Sequence, residues 1–199
     1  MDIVIHKVNT IKKLQNIPKK YGVEIDVRAY KNKIVLSHNP FLNGEALNDY
    51  LDCFFHKLLI INIKETGIEK EVFDLLKKKN IKNFFLLDLE FPFYFNAKKK
   101  YLLNSSIRFS QYESINTVQN YKDKIKWVWI DTYKKFPITR SNIKILDFFK
   151  KCLVCPERWG RPGDINKYII KIKKNNYRID AVMTSIKNAS KWEKGFVNC

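Results

Sequence analysis

Glycine and proline are scarce in this chain, at six residues each among 199. The first strand-like run passes into His6-Lys7-Val8-Asn9 rather than into a glycine-rich turn. That excludes the phosphate loop with which an open dinucleotide-binding sheet usually begins. Cysteine is equally sparse: Cys53, Cys152, Cys155 and Cys199. Cys152 and Cys155 have CxxC spacing, but no second CxxC or histidine pair accompanies them, so a structural zinc site is set aside and buried thiols are expected. Ser37 precedes His38 without the partners of a nucleophilic triad, which removes a serine hydrolase. No run is long and apolar enough to span a bilayer, and Met1-Asp2-Ile3-Val4-Ile5-His6 has neither a basic leader nor a long apolar stretch after it. The expectation is a soluble protein in a reducing, cytoplasmic setting.

Acidic residues are also few, 20 against 38 lysines and arginines, leaving a formal net charge of +18. Such a charge suits a nucleic-acid binder, because lysine clusters release counterions from phosphates. The lysine runs Lys77-Lys78-Lys79, Lys98-Lys99-Lys100 and Lys171 to Lys174 nevertheless recur along the chain. They fall at expected helix ends, where lysine complements the helix dipole. A solvated basic surface is the preferred reading, and no specific nucleic-acid partner is expected. The same field attracts anionic substrates and acidic membrane surfaces, so peripheral membrane contact stays open.

Short apolar runs alternate with amphipathic helical stretches throughout. The expected strands are 3–8, 23–28 extended by 33–38, 58–64, 84–91, 107–111, 127–133, 152–155 and 179–184. Helical stretches are expected at 10–20, 46–55, 68–79, 93–103, 115–124, 143–151, 164–175 and 186–196. Asn142 and Asp164 suit helix N-caps, and Pro40, Pro92 and Pro162 sit at breaks. About eight β-then-α units in an α/β chain predict a single closed (β/α)8 TIM barrel. Such barrels usually run near ~250 residues, so this one must have short loops. No linker, repeat or low-complexity segment divides it, and one domain over residues 1–199 is expected.

Chemistry in such a barrel belongs to the C-terminal ends of the strands. There the sequence offers His6, then Glu24 and Asp26 at i and i+2 on one face, then His38. Asn62 and Lys64 again share a face, followed by Asp88 and Glu90. Adjacent carboxylates repel unless a cation lies between them, and Mg²⁺ or Ca²⁺ prefers such oxygen donors. Two histidines can divide proton transfer, and a lysine suits phosphate charge. Farther on, Arg108 and Arg161 are candidates for gripping a phosphate, and Trp129 for lining a substrate pocket. Glu90 is the best substitute for a missing ligand. Singly, each of these four is as well explained by a structural role.

In order, His6-Lys7, Gly22-Val23-Glu24-Ile25-Asp26-Val27, Val35-Leu36-Ser37-His38-Asn39 and Ile61-Asn62-Ile63-Lys64 resemble the motifs of the glycerophosphodiester phosphodiesterases. These are PLC-like phosphodiesterase barrels with a bound divalent ion, and the similarity covers the first third of the chain. It implies His6 and His38 as the acid–base pair and Glu24 and Asp26 as metal ligands. Lys64 becomes a phosphate contact, with Lys7 beside it in place of the family's arginine. Asn39 replaces an aspartate, and Asn62 stands where the family has a third ligand glutamate. The expected activity is metal-dependent hydrolysis of glycerophosphodiesters or a related phospholipid or phosphoglycan diester. The alternatives are a weakened phosphoester-binding barrel, which Asn62 keeps open, and the basic nucleic-acid binder.

Overall fold

The computed structural model describes residues 1–196; Cys199 lies outside the described residues. The strands are β1 (Asp2–Ile5), β2 (Gly22–Tyr30), β3 (Lys33–Leu36), β4 (Leu59–Ile63), β5 (Phe84–Leu87), β6 (Ser106–Phe109), β7 (Trp127–Ile130), β8 (Lys150–Val154) and β9 (Ala181–Thr184). Helices α1 (Ile11–Gln15), α2 (Leu47–Asp52), α3 (Glu69–Lys78), α4 (Phe91–Asn96), α5 (Lys99–Leu102), α6 (Ile115–Gln119), α7 (Ile143–Leu146), α8 (Asp164–Lys174) and α9 (Ile186–Phe196) alternate with them. The spatial order β5-β4-β2-β1-β9-β8-β7-β6 joins parallel neighbours, while β3 folds back antiparallel on β2. Between β5 and β6 the ladder is reduced to the parallel bridge Leu86–Ser105. The result is a nearly closed barrel of eight parallel strands, the expected (β/α)8 architecture. Among the described residues no helix is long and apolar enough to cross a membrane.

Strand periodicity of two sorts the side chains into an inner and an outer set. Outward residues such as Ile5, Val23, Ile25, Ile61, Leu86 and Val128 join the helices in the larger core. Inward ones, including Val4, Ile60, Phe85, Trp127, Trp129, Cys152 and Met183, plug the barrel. Phe85 and Trp127 stack with ring centroids 4.8 Å apart. Cys152 belongs to the plug and Cys155 to the outer core, so the CxxC spacing leads to two separate buried thiols.

Several elements stop short of their expected ends. The first strand ends at Ile5 because Lys7 takes a left-handed backbone, φ 57. The fourth expected strand ends at Leu87, not at Phe91, because Asp88 has φ 61 and Pro92 opens α4. Asp88 and Glu90 therefore do not share a strand face; Glu90 is the exposed residue capping α4. The expected helix 93–103 is split into α4 and α5 by extended backbone at Ala97 and Lys98. Asn142 does cap α7, whereas Asp164 is the first residue of α8 and Gly163 its cap.

Beyond β3 the chain turns sharply through residues 37–46 into α2. Leu36 N–H donates to the Glu45 carbonyl at 2.9 Å, laying the loop's return limb along β3. Gly44 makes this approach feasible, since a Cβ there would lie 2.2 Å from the Leu36 carbonyl oxygen. Gly44→Ala is expected to lower stability by about 1–3 kcal/mol, the cost of forcing atoms into a packed space. Urea denaturation measures this, and an unchanged midpoint would show that the loop shifts freely.

Candidate active site at the barrel mouth

The interior period carries each strand from the apolar plug to a polar mouth. Val4 is followed two residues on by His6, Gly22 by Glu24 and Asp26, and Ile60 by Asn62. Across the barrel Ser106 leads to Arg108 and Trp129 to Asp131. Glu24 is 1% exposed and Asp26 2%. Burial of two neighbouring carboxylates needs compensation, and the surroundings supply it.

The left-handed turn at Lys7 brings its backbone N–H to Glu24 Oε2 at 2.8 Å. Asn62 Nδ2 donates to Glu24 Oε1 at 3.4 Å, and His6 Nε2 lies 3.8 Å from Oε2. Lys64 Nζ is 3.3 Å from Asp26 Oδ1. Asn9, which the sequence reading left without a role, holds Asp26 twice. Its Nδ2 donates to Oδ2 at 2.8 Å, and its Oδ1 accepts the Asp26 N–H at 2.9 Å. Thus His6, Lys7, Glu24, Asp26, Asn62 and Lys64 form one contacting group.

His38 sits beside this group rather than within it. Ser37 N–H donates to the Asp26 carbonyl at 3.0 Å, anchoring the chain one residue before it. The His38 ring is exposed, with Nδ1 2.9 Å from Asn39 Oδ1, and Arg28 Nε donates to its carbonyl at 3.2 Å. Arg158, also unassigned from the sequence, follows β8 in an exposed turn, Pro156–Trp159, and its charge acts on His6.

The opposite half of the mouth is already paired. Arg108 bridges Asp88 and Asp131 and donates to the Tyr133 hydroxyl at 3.0 Å. Burial alone would depress its pKa, but Asp88, with Tyr133 and Glu113, outweighs that and the net direction is upward. Arg161 is likewise occupied, with Asp164 at 2.8 Å, the Tyr168 hydroxyl at 3.1 Å and the carbonyls of Thr132 and Tyr133. It fastens the loop after β7 to α8. Trp129 lies buried in the plug below the mouth. A cavity of about 300 Å³ opens beside Arg108, walled by Leu89, Phe91, Tyr94, Ile107 and Thr117.

Electrostatics separate the two central titrating groups. Burial first, then Arg158, lowers the His6 pKa to about 4 against the pull of Asp26, so its imidazole is neutral at pH 7. Burial first, then Asp26, pushes Glu24 up to about 7. Among the described residues no cluster of three or more His, Cys, Asp and Glu side chains is disposed to hold a metal. The available oxygen donors are the Glu24 and Asp26 carboxylates and the Asn62 amide. Asn62 Oδ1 is buried and accepts no hydrogen bond, a state that costs free energy unless a partner is supplied. Two carboxylates and an orphaned amide oxygen fit a hard cation held more loosely than by three carboxylates.

No family model matches the chain, and no curated protein does. Solved structures share its fold. The barrel is of the kind seen in a glycerophosphodiester phosphodiesterase from Thermotoga maritima, at TM-score 0.64 and 20% identity over 96% of each chain. A glycerophosphoryl diester phosphodiesterase from Parabacteroides distasonis has TM-score 0.64 at 13% identity, over 96% of this chain and 85% of that one. The tryptophan synthase α-subunit of Pyrococcus furiosus is also similar, at TM-score 0.57 and 9% identity over 97% of this chain and 90% of its own. The fold is therefore a glycerophosphodiester phosphodiesterase-like TIM barrel.

The raised Glu24 pKa has a stability consequence in metal-free buffer. Between the ordinary carboxylate pKa and about 7 the folded state binds more protons than the unfolded chain. Stability from this group is thus present at low pH and is lost as pH rises through that window. Glu24→Gln is expected to be more stable than wild type above pH 7, by on the order of 3 kcal/mol. The gap should close below about pH 4.5, where both side chains are neutral. Thermal denaturation in EDTA across this range is the check; a constant gap would refute the shift.

Proposed function

We propose that this chain is a metal-assisted phosphoric diester hydrolase acting on glycerophosphodiesters or a related phospholipid or phosphoglycan diester. The observation that carries the reading is the buried Glu24–Asp26 pair in contact with His6, Asn62 and Lys64 at the mouth of a phosphodiesterase-like barrel. Glu24, Asp26 and Asn62 would hold Mg²⁺ or Ca²⁺, with the Asn62 amide reversed so that its orphaned oxygen faces the carboxylates. When bound, such an ion polarises phosphoryl oxygens and offsets charge in the transition state.

The chain's own residues supply the rest. Neutral His6 accepts a proton at Nε2 from the attacking water as its oxygen bonds to phosphorus, and His38 on its loop donates one to the alcohol that departs as the P–O bond breaks. Lys64, Lys7 and Arg158 balance the phosphate charge, and the lysines act as point charges rather than as a bidentate fork. The apolar cavity beside Arg108 receives substituents of the substrate. The buried thiols Cys152 and Cys155 support a reducing, cytoplasmic setting. A second reading, a barrel that binds phosphoesters with weak or no turnover, is favoured by one feature. Asp26 already has Lys64 and Asn9 as partners, which competes with an ion.

Hydrolysis of a phosphodiester panel with Mg²⁺, Ca²⁺, Mn²⁺ or EDTA separates the two readings. Metal-dependent release of an alcohol is expected, and His6→Ala and His38→Ala should each reduce it by about 10²–10⁴-fold while remaining folded. Binding of a non-hydrolysed diester without any turnover would establish the second reading instead. Asn62→Glu restores a third carboxylate and is expected to tighten Mg²⁺ or Ca²⁺ binding in calorimetric titration. Equal affinities would place Asn62 outside the metal site.

A further inference from the structure

The exposed apolar side chains differ between the two ends of the barrel. At the end opposite the mouth, Phe55 and Phe148 precede β4 and β8, and each has a lysine over its ring. Lys19 Nζ lies 5.4 Å from the Phe55 centroid and Lys122 Nζ 3.4 Å from that of Phe148. At the mouth, Phe41 is 94% exposed at the tip of the loop after β3, with Leu42 beside it. Among the described residues Phe41 has no aromatic or cationic partner on its ring.

Phe41 also occupies a left-handed backbone position, φ 62, where glycine or asparagine is favoured and a bulky residue is uncommon. A large apolar side chain kept there at a conformational cost points to a use for it. The surrounding charge is mainly positive: Glu65 pairs with Arg28 and Glu113 is held by the Ser110 hydroxyl, which leaves Glu90 as the exposed acid after β5. Lys31 at the adjoining hairpin tip, Lys134 and Lys135 after β7, and Arg158 are all exposed, and none has an ion-pair partner among the described residues. Apolar prongs interleaved with cations suit the headgroup region of an anionic bilayer, where aromatic rings insert shallowly and lysines meet lipid charge.

We propose that the mouth-side rim is a docking surface for an anionic lipid bilayer, with Phe41 and Leu42 as its inserted anchors. The mouth then faces the headgroup layer. His38 lies three residues before Phe41 on the same loop, so docking holds one proposed catalytic group against the membrane. The docking itself does not depend on the proposed hydrolysis and is read without turnover.

The experiment is co-sedimentation of the full chain with phosphatidylcholine vesicles, alone or containing phosphatidylglycerol. Wild type is expected to pellet with the anionic vesicles and to remain in solution with the neutral ones. Phe41→Asn with Leu42→Ser should weaken anionic-vesicle binding by at least about tenfold, as expected when two apolar anchors are lost. Phe55→Ser with Phe148→Ser should leave it unchanged. Phe41→Asn alone should raise the thermal midpoint while weakening binding, so the loss cannot be attributed to misfolding. No pelleting of wild type with anionic vesicles would overturn the proposal. Equal loss in the two double variants would do so as well, since adsorption would then belong to the basic surface at large.

Discussion

The mouth of this barrel depends on one constraint, the burial of Glu24 and Asp26 side by side on β2. Two carboxylates in such a place repel each other and lose their water. Each nearby departure from ordinary structure reduces that penalty. Lys7 takes a left-handed turn that directs its N–H at Glu24, Asn9 returns to clasp Asp26 through two hydrogen bonds, and Lys64 supplies the positive charge. The penalty is not removed altogether, since Glu24 remains well above the usual carboxylate range. A site left under-compensated in this way favours the arrival of a further cation.

The two halves of the mouth handle charge differently. Around β6 and β7, Arg108 sits between Asp88 and Asp131, and those groups satisfy one another. Around β1, β2 and β4, positive charge from Lys7, Lys64 and Arg158 surrounds a neutral histidine and a partly protonated acid. The first arrangement stiffens the rim, because removing Arg108 would strand a buried carboxylate. The second leaves charge available for an anionic ligand. A phosphate entering the mouth is thus drawn to one side of it.

Much of the architecture was legible because burial writes itself into sequence at short range. Runs such as Leu58–Ile63 and Phe84–Leu87 announce strands, and the period of two puts Glu24, Asp26 and Asn62 on the inner face without reference to any contact. Strand ends were less legible. Val8 and Leu89 continue the apolar pattern, but single left-handed residues, Lys7 and Asp88, end the strands before them. The acidic partners of Arg108 and the carbonyls that hold Arg161 lie on other β/α units and become neighbours only when the barrel closes. Asn9 and Arg158 were missed for a related reason. Neither lies on a strand, so no period points to them; the available clue was a polar residue close behind a strand that delivers a histidine or enters a short turn.

The weak junction between β5 and β6 divides the molecule in a way the regular alternation conceals. Seven of the neighbouring strand pairs around the barrel carry extended parallel ladders, and this one carries the bridge Leu86–Ser105, supported by the Ser106 hydroxyl on the Leu86 carbonyl. The chain on one side of it, through β5, holds every member of the contacting acid–base group; the chain on the other side holds Arg108, Asp131 and Tyr133, and Asp88 reaches Arg108 from across the junction. The barrel is thus two half-shells sewn firmly along β1 and β9 and held along β5 and β6 by one bridge and a few side chains. A break in the backbone at Ala97 or Lys98, where α4 already gives way to α5, would cut along the natural hem and leave the acid–base group whole, with the Asp88–Arg108 pair as a clasp still joining the two half-shells.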